Sequence, residues 1–261
     1  DFHYYLCRRL GGGMEIIMIK KNVLITGASR GIGRSTALLF ADKGFHVFLN
    51  CHKSIEELQK VQQEIEQNHP DCSTIITGNV GNPEDVRSIF REIYSHCDSL
   101  DVLVNNAGVA HIGLLMDLTD EEWRRIIDTN LSSVFYCCRE AVPKMVSKKS
   151  GRIINISSMW GTVGASCEAA YSASKSGIHG LTRALAKELA PSGISVNAIA
   201  CGVIDTVMNA QLDKTERQEL AEEIPAGRFC SPEEIAEVIW QTVNTPVYMT
   251  GQIIGVDGGY I

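Results

Sequence analysis

The sequence predicts an α/β protein: a single domain built on a doubly wound parallel sheet with helices on both faces. Three observations lead there. Short continuous apolar runs such as Val23-Leu24-Ile25 and Val102-Leu103-Val104 alternate with longer stretches of helical periodicity, as expected of strands buried on both faces and joined by crossover helices. The first apolar run passes through the glycine turn Gly27 to Gly33 directly into a helical pattern. No Pro- or Ser-rich linker divides the chain, and its 44% apolar and 21% charged content suits a large core.

Taken in order, Lys21 to Thr26 reads as a buried strand and the apolar-periodic stretch after Gly33 as a helix through Phe40. His46 to Asn50 is the second strand, residues 55–67 a polar-faced helix and Ser73 to Thr77 the third strand. Asn82 caps a helix from Pro83 to Cys97, with Pro at its first turn. After Val102 to Val104 a long helix is expected from about Asp120 into Val146, opened by Thr119 or Asp120. Gly151 to Ser158 is a strand ending in two serines. The next helix runs to Ala190 and stops at Pro191-Ser192-Gly193, before the strand Ser195 to Ala200. Met208 to Arg228 reads as a mobile lid, followed by a helix capped at Ser231-Pro232 and a last strand within Thr250 to Gly259.

Composition narrows the function. A net charge of -7 disfavours a general nucleic-acid or anionic-membrane surface, and no apolar run reaches the ~18 residues that span a bilayer. Nine cysteines without a Cys-x-x-Cys pair indicate a reducing, cytoplasmic setting. Seven scattered histidines offer no ligand spacing, so no metal is expected. Residues 1–17 read as an extension, appended upstream or disordered, ahead of a domain over 18–261, with Met14 or Met18 as the natural start.

Chemistry concentrates in Ala170 to Lys175. Tyr171 and Lys175 are four apart, so a helix presents both on one face. A nearby ammonium favours the phenolate, so Lys175 is expected to lower the Tyr171 pKa toward acid/base work. The glycine turn ahead of a helix is suited to a dinucleotide pyrophosphate, because it permits close backbone approach and the helix N-terminus offers free N-H groups.

Thr26-Gly27-x-x-x-Gly31-x-Gly33, Asn105-Asn106-Ala107-Gly108, Asn130 in Asp128-Thr129-Asn130-Leu131, and Tyr171-x-x-x-Lys175 thirteen residues after Ser158 follow one another in the order of a known family. With them the chain resembles the short-chain dehydrogenase/reductase family from Lys20 to Ile261. Asn79 stands where the family has Asp, and Cys201 where it has Pro. The resemblance implies a Rossmann fold, a carbonyl/secondary-alcohol oxidoreductase and a homotetramer. It implies Ser158, Tyr171, Lys175 and Asn130 as catalytic residues. Ser158 would bind the substrate oxygen, Lys175 would also grip the nicotinamide ribose, and Asn130 would distort its helix and hold a water leading from the lysine to solvent. It further implies a cofactor site at Gly27, Ser29, Arg30, Gly31, Ile32, Gly33, Asn79, Val80, Asn106, Ala107, Gly108, Tyr171, Lys175, Gly202, Ile204 and Thr206.

At the end of the second strand, where NAD binding calls for a carboxylate, the chain has Cys51-His52-Lys53. Arg30, His52 and Lys53 can surround a 2′-phosphate, so NADP(H) is expected over NAD(H). Among the family's branches the chain most resembles 3-oxoacyl-[acyl-carrier-protein] reductases, which implies a small-molecule or carrier-bound carbonyl substrate, with Lys148, Lys149 and Arg152 as docking bases. Ser158-Met159-Trp160-Gly161 with Gly164-Ala165-Ser166-Cys167-Glu168 also resembles a branch that reduces a ketone modification on elongation factor P, which implies Trp160 and Glu168 in recognition of an amine. Sugar or polyol dehydrogenation is a further alternative, and a non-catalytic dinucleotide sensor is another.

Overall fold

A computed structural model describes residues 4–10, 13–209 and 212–261 of the chain. β1 (Tyr4–Leu10) and β2 (Gly13–Ile19) pair antiparallel as a hairpin separate from the main sheet. The main sheet comprises β3 (Asn22–Ile25), β4 (His46–Cys51), β5 (Ser73–Thr77), β6 (Val102–Asn105), β7 (Gly151–Ser158), β8 (Ile194–Cys201) and β9 (Ile253–Val256). All seven strands are parallel, in the order β5-β4-β3-β6-β7-β8-β9. The order reverses between β3 and β6, and ligands of open α/β sheets bind beyond the strand ends at such a point.

Strand alternation divides the core in two. Val23, Ile25, Val47, Leu49, Val102 and Val104 face a layer formed by α1 (Gly31–Asp42), α2 (Ile55–Asn68) and α9 (Pro232–Val243). Leu24, Phe48 and Leu103, on the opposite faces of the same strands, pack against α3 (Pro83–His96), α5 (Ser133–Lys148) and α7 (Ala169–Leu189). Both faces are dry, which is why the strands read as continuous apolar runs. Edge-to-face contacts of Trp240 with Phe40 (5.4 Å) and Phe45 (5.9 Å) tie α9 to α1.

The long helix expected after Thr119 is divided. Thr119 caps α4 (Asp120–Ile127) through a capping box with Glu122, a π turn occupies Asp128–Ser132, and α5 follows. α6 (Trp160–Val163) is a short turn after β7, and α8 (Lys214–Glu223), capped by Asp213, is the helix of the expected lid.

Candidate active site

Three elements deliver the central side chains. β7 ends at Ser157 and Ser158, whose side chains leave opposite faces of the strand. Ser157 is turned into the protein, its hydroxyl 2.8 Å from His179 Nε2 and donating to the Lys175 carbonyl (3.3 Å). Ser158 instead hydrogen-bonds the Tyr171 phenol and accepts from the Trp160 amide at 3.2 Å. Tyr171 and Lys175 share a face of α7, with the Lys175 Nζ 5.5 Å from the Tyr171 ring centre. The Lys175 ammonium donates to the Ile156 carbonyl on β7 at 2.9 Å, which fixes α7 against the strand that carries Ser158.

The electrostatics differ from the expectation that Lys175 lowers Tyr171. Burial dominates at both groups: it raises Tyr171 above its ordinary value of 10, against the lowering effect of the Ser158 hydrogen bond. It lowers Lys175 from 10.5 to about 8, with Cys201 acting the other way. Cys201 lies at the end of β8 in register with Ser158, and burial pushes its thiol up to about 12. Helical spacing brings the two groups together, but burial and not the ammonium sets the direction at the phenol.

Asn130 is fully buried at the centre of the π turn. Its Oδ1 accepts from the Val109 amide (2.8 Å), and its Nδ2 donates to the Val109 carbonyl (2.9 Å) and to Ser174 Oγ (3.1 Å). Ser174 Oγ in turn donates to the Tyr171 carbonyl at 2.7 Å. The helix is distorted as expected, but the amide is committed to protein groups and leaves little capacity to grip a water. Ser174 is a link the sequence gave no reason to single out, because its partner is forty-four residues away.

Across the crevice, the glycine turn is held by β6. Asn106 Nδ2 donates to the carbonyls of Thr26 (2.9 Å) and Gly27 (3.1 Å), and Thr26 Oγ1 accepts from the amides of Asn106 (2.9 Å) and Ala107 (3.0 Å). Thr26, absent from the expected site, thus sets the shape of the turn. Gly27 has φ +66°, and a Cβ on Gly33 would lie 2.2 Å from the Gly27 carbonyl, so both positions require glycine. Ser29 is buried within the turn, and Ile32 packs against the core under it. Arg30 at the N-cap makes no capping bond, and the first turn of α1 holds no acidic residue, so its leading N-H groups are open to an anion.

Arg30, His52 and Lys53 are all exposed at the ends of β3 and β4, and an amide-carbonyl bond from Ala28 to Asn50 (2.9 Å) ties the two turns together. These residues fit a dinucleotide: a turn with glycine at three of its seven positions lies ahead of an uncapped helix, with cations beside it. Gly108, between Asn130 and Lys175, continues the crevice toward the catalytic groups; a Cβ there would meet Asn130 Oδ1 at 3.5 Å and Lys175 Nζ at 3.6 Å.

Several expected contacts are otherwise engaged. Asn79 Oδ1 accepts from the Gly81 amide (3.0 Å), which fixes the side chain across the turn and leaves its Nδ2 donors and one oxygen lone pair without a partner among the described residues. Val80 is buried in the core under β5. The Ile204 carbonyl accepts from Asn209 Nδ2 (2.7 Å) and the Thr206 amide (2.8 Å). Gly202 admits the backbone of Asp257, whose Cα a Cβ would approach to 2.6 Å, so packing already requires this glycine. Thr206 lies over the glycine turn, its Cγ2 3.1 Å from where a Gly31 Cβ would be.

The expected docking bases do not reach the site. Lys148 is paired with Asp101 at 2.6 Å, and Arg152 donates to the Val243 carbonyl at 3.2 Å. Arg152 precedes Ser158 by six strand residues, which at roughly 3.3 Å each places it about 20 Å from the reactive edge. Lys149 lies just before β7 at the same remote end. Trp160 packs edge-on against Tyr260 at 6.0 Å, and Glu168 precedes α7 without capping it.

The sequence model of the family described as short chain dehydrogenase matches residues 21–217. The chain is 43% identical over 240 residues to the 3-oxoacyl-[acyl-carrier-protein] reductase FabG of Staphylococcus aureus strain Mu50, covering 92% of this chain and 97% of that protein. It is 40% identical over 240 residues to the 3-oxoacyl-[acyl-carrier-protein] reductase of a Synechocystis species, covering 91% and 96%. Among solved structures, a variant actinorhodin polyketide ketoreductase with NADPH superimposes with a TM-score of 0.88 at 31% identity, covering 92% of this chain and 97% of that one.

Proposed function

The chain belongs to the short-chain dehydrogenase family, an oxidoreductase acting on CH-OH groups, and from that premise we propose that it reduces the 3-oxo group of an acyl thioester borne by acyl-carrier protein, using NADPH. The observation that carries the chemistry is the convergence of Ser158 and Tyr171 from two elements beside Lys175, at the strand edge that faces the glycine turn. When bound, the nicotinamide cofactor supplies the hydride. Tyr171 gives its phenolic proton to the substrate oxygen, and Ser158 donates a hydrogen bond to the same atom. A raised Tyr171 pKa keeps that proton in place until negative charge develops on the oxygen. Lys175 holds α7 on β7 and restores positive charge near the phenol when it is protonated. Asn130, through Val109 and Ser174, sets the distance between the end of β6 and the Tyr171 turn of α7.

Support for NADP(H) comes from the exposed trio Arg30, His52 and Lys53 and from the lack of a carboxylate after β4. The names of the relatives favour the carrier-bound thioester over an elongation-factor ketone or a sugar. A homotetramer belongs to the same proposal: Trp123 on α4 and Phe135 on α5 are 41% and 46% exposed and supply apolar area for a second copy to cover. A cytoplasmic setting is supported by the free thiols of Cys51, Cys72, Cys137, Cys138 and Cys201. The test is side-by-side oxidation of NADPH and NADH with a short 3-oxoacyl thioester and a panel of ketones and sugars. Rapid NADPH-linked turnover of the thioester is expected. Turnover confined to another carbonyl would refute the substrate assignment, and preference for NADH would refute the cofactor.

A further inference from the structure

A cavity of ≈ 410 Å³ opens between the first turn of α1 and the lid, lined by Gly31, Arg34, Asp205, Thr206, Arg217 and Glu233 among others. Gly31 brings the anion-binding turn to one wall, and Arg217, from the second turn of α8, brings a cation to the other. Arg34 is turned to Glu64 on α2, outside the lining, at 2.6 Å, and Glu233 accepts from Ser35 beside it at 2.8 Å.

Arg217 differs in that its acidic partner lines the cavity with it and an aromatic ring backs it. Its guanidinium bonds Asp205 at 2.6 Å and lies 4.4 Å over the Phe229 ring. Asp205 lies on the loop between Ile204 and Thr206, and its side chain is more than half exposed. An exposed ion pair of this kind is weakly held, so the guanidinium can exchange one oxyanion for another at little cost while it keeps the aromatic face. A dinucleotide pyrophosphate in the cavity presents two charged phosphoryl groups, and a planar guanidinium is the side chain best matched to them.

We propose that Arg217 is a cofactor-binding residue that leaves Asp205 for the pyrophosphate and so closes α8 over the dinucleotide. The proposal rests on the dinucleotide-dependent reading of the site. It gives Asp205 the opposite part: a competitor that parks the arginine while the cavity is empty. Cofactor binding and lid position are thereby coupled by one side chain, with no contact to substrate required.

The two partners predict opposite signs, which a merely structural pair would not. NADPH binding is measured by fluorescence titration on the full chain, together with competition by adenosine 2′-monophosphate, which lacks the pyrophosphate. Arg217→Met is expected to weaken NADPH about tenfold, as for a charge-assisted hydrogen bond, and to leave adenosine 2′-monophosphate unchanged. Asp205→Asn is expected to tighten NADPH severalfold by releasing the arginine. Circular dichroism melts of both variants report whether the fold is kept, and Arg217→Lys, which keeps the charge but not the fork, is expected to recover only part of the affinity. If both Arg217→Met and Asp205→Asn weaken NADPH, or if Arg217→Met weakens both ligands equally, the pair is a structural latch and the proposal falls. If wild-type protein binds no NADPH, the dinucleotide reading falls and takes this proposal with it. If wild type binds and Arg217→Met binds equally well, this proposal alone is overturned.

Discussion

The two sides of the crevice are built on different principles. On the β7 and α7 side, Asn130, Lys175 and Ser158 are buried, and hydrogen bonds hold these groups to other elements. On the β3 and β4 side, Arg30, His52 and Lys53 project into solvent beside a glycine turn that Thr26 and Asn106 hold and that the Ala28 amide ties to Asn50 on β4. Chemistry is thus placed in the interior, where geometry is rigid and electrostatic effects are large, whereas cofactor choice sits on exposed side chains over a rigid backbone. The first arrangement ties function to fixed geometry; the second lets preference change at little cost to the fold.

The largest effect that tests this contrast is Tyr171→Phe. It removes the proton donor, and kcat is expected to fall by about 10²–10⁴-fold while NADPH affinity holds. A matching loss of affinity in a fluorescence titration would mean that the two sides are not separable.

Gly33→Ala tests the rigid backbone under the cofactor side. Its methyl would be driven into the Gly27 carbonyl, so the turn must open at a cost of about 1–3 kcal/mol. Reduced NADPH affinity and a lower melting temperature are expected together; an unchanged Kd would show that the turn is softer than its hydrogen bonds suggest.

Lys175→Met examines what the buried side sacrifices for function. Burial holds the Lys175 ammonium at about 8, below its ordinary 10.5, so charge there opposes folding. The groups that act on it are Cys201 on β8 and, through its ring, Tyr171 on the same helix. Between pH 8 and 10.5 the unfolded chain holds more proton than the folded one, so wild-type stability rises with pH across that window. The methionine variant lacks this rise. It is expected to be inactive but more stable by about 1–3 kcal/mol at pH 7, with the advantage full below pH 8 and shrinking toward 10.5. Urea denaturation at several pH values measures it, and an advantage that grew with pH would reverse the assignment.

The smallest effect is expected on the exposed side. Arg30→Ala or Lys53→Ala is expected to weaken NADPH about threefold to tenfold, less so at high salt, and to leave NADH and the melting temperature unchanged. Equal losses for both dinucleotides would place these side chains on a phosphate the two cofactors share.

The strands, the glycine turn and the shared helix face of Tyr171 and Lys175 were legible in the chain because each depends on spacing along a few residues. Continuous apolar runs, closely spaced glycines between strand and helix and a four-residue helical step carry the same meaning in almost any context. The family resemblance joined these local signals into one site. Commitments between distant residues were not legible. That Arg152 lies at the far edge of β7, that Asn79 bonds the Gly81 amide, that Asn130 bonds Val109 and Ser174, and that Arg217 rests on Asp205 all depend on which groups folding brings together. The reversal at Tyr171 and Lys175 has the same origin. Helical spacing places the ammonium near the phenol, but only tertiary packing decides how much water is removed from both, and desolvation is the largest effect at each. Sequence by itself determined which residues meet along one element; the folded structure decided which of them remain free to act, because burial and pairing are properties of the whole packed chain.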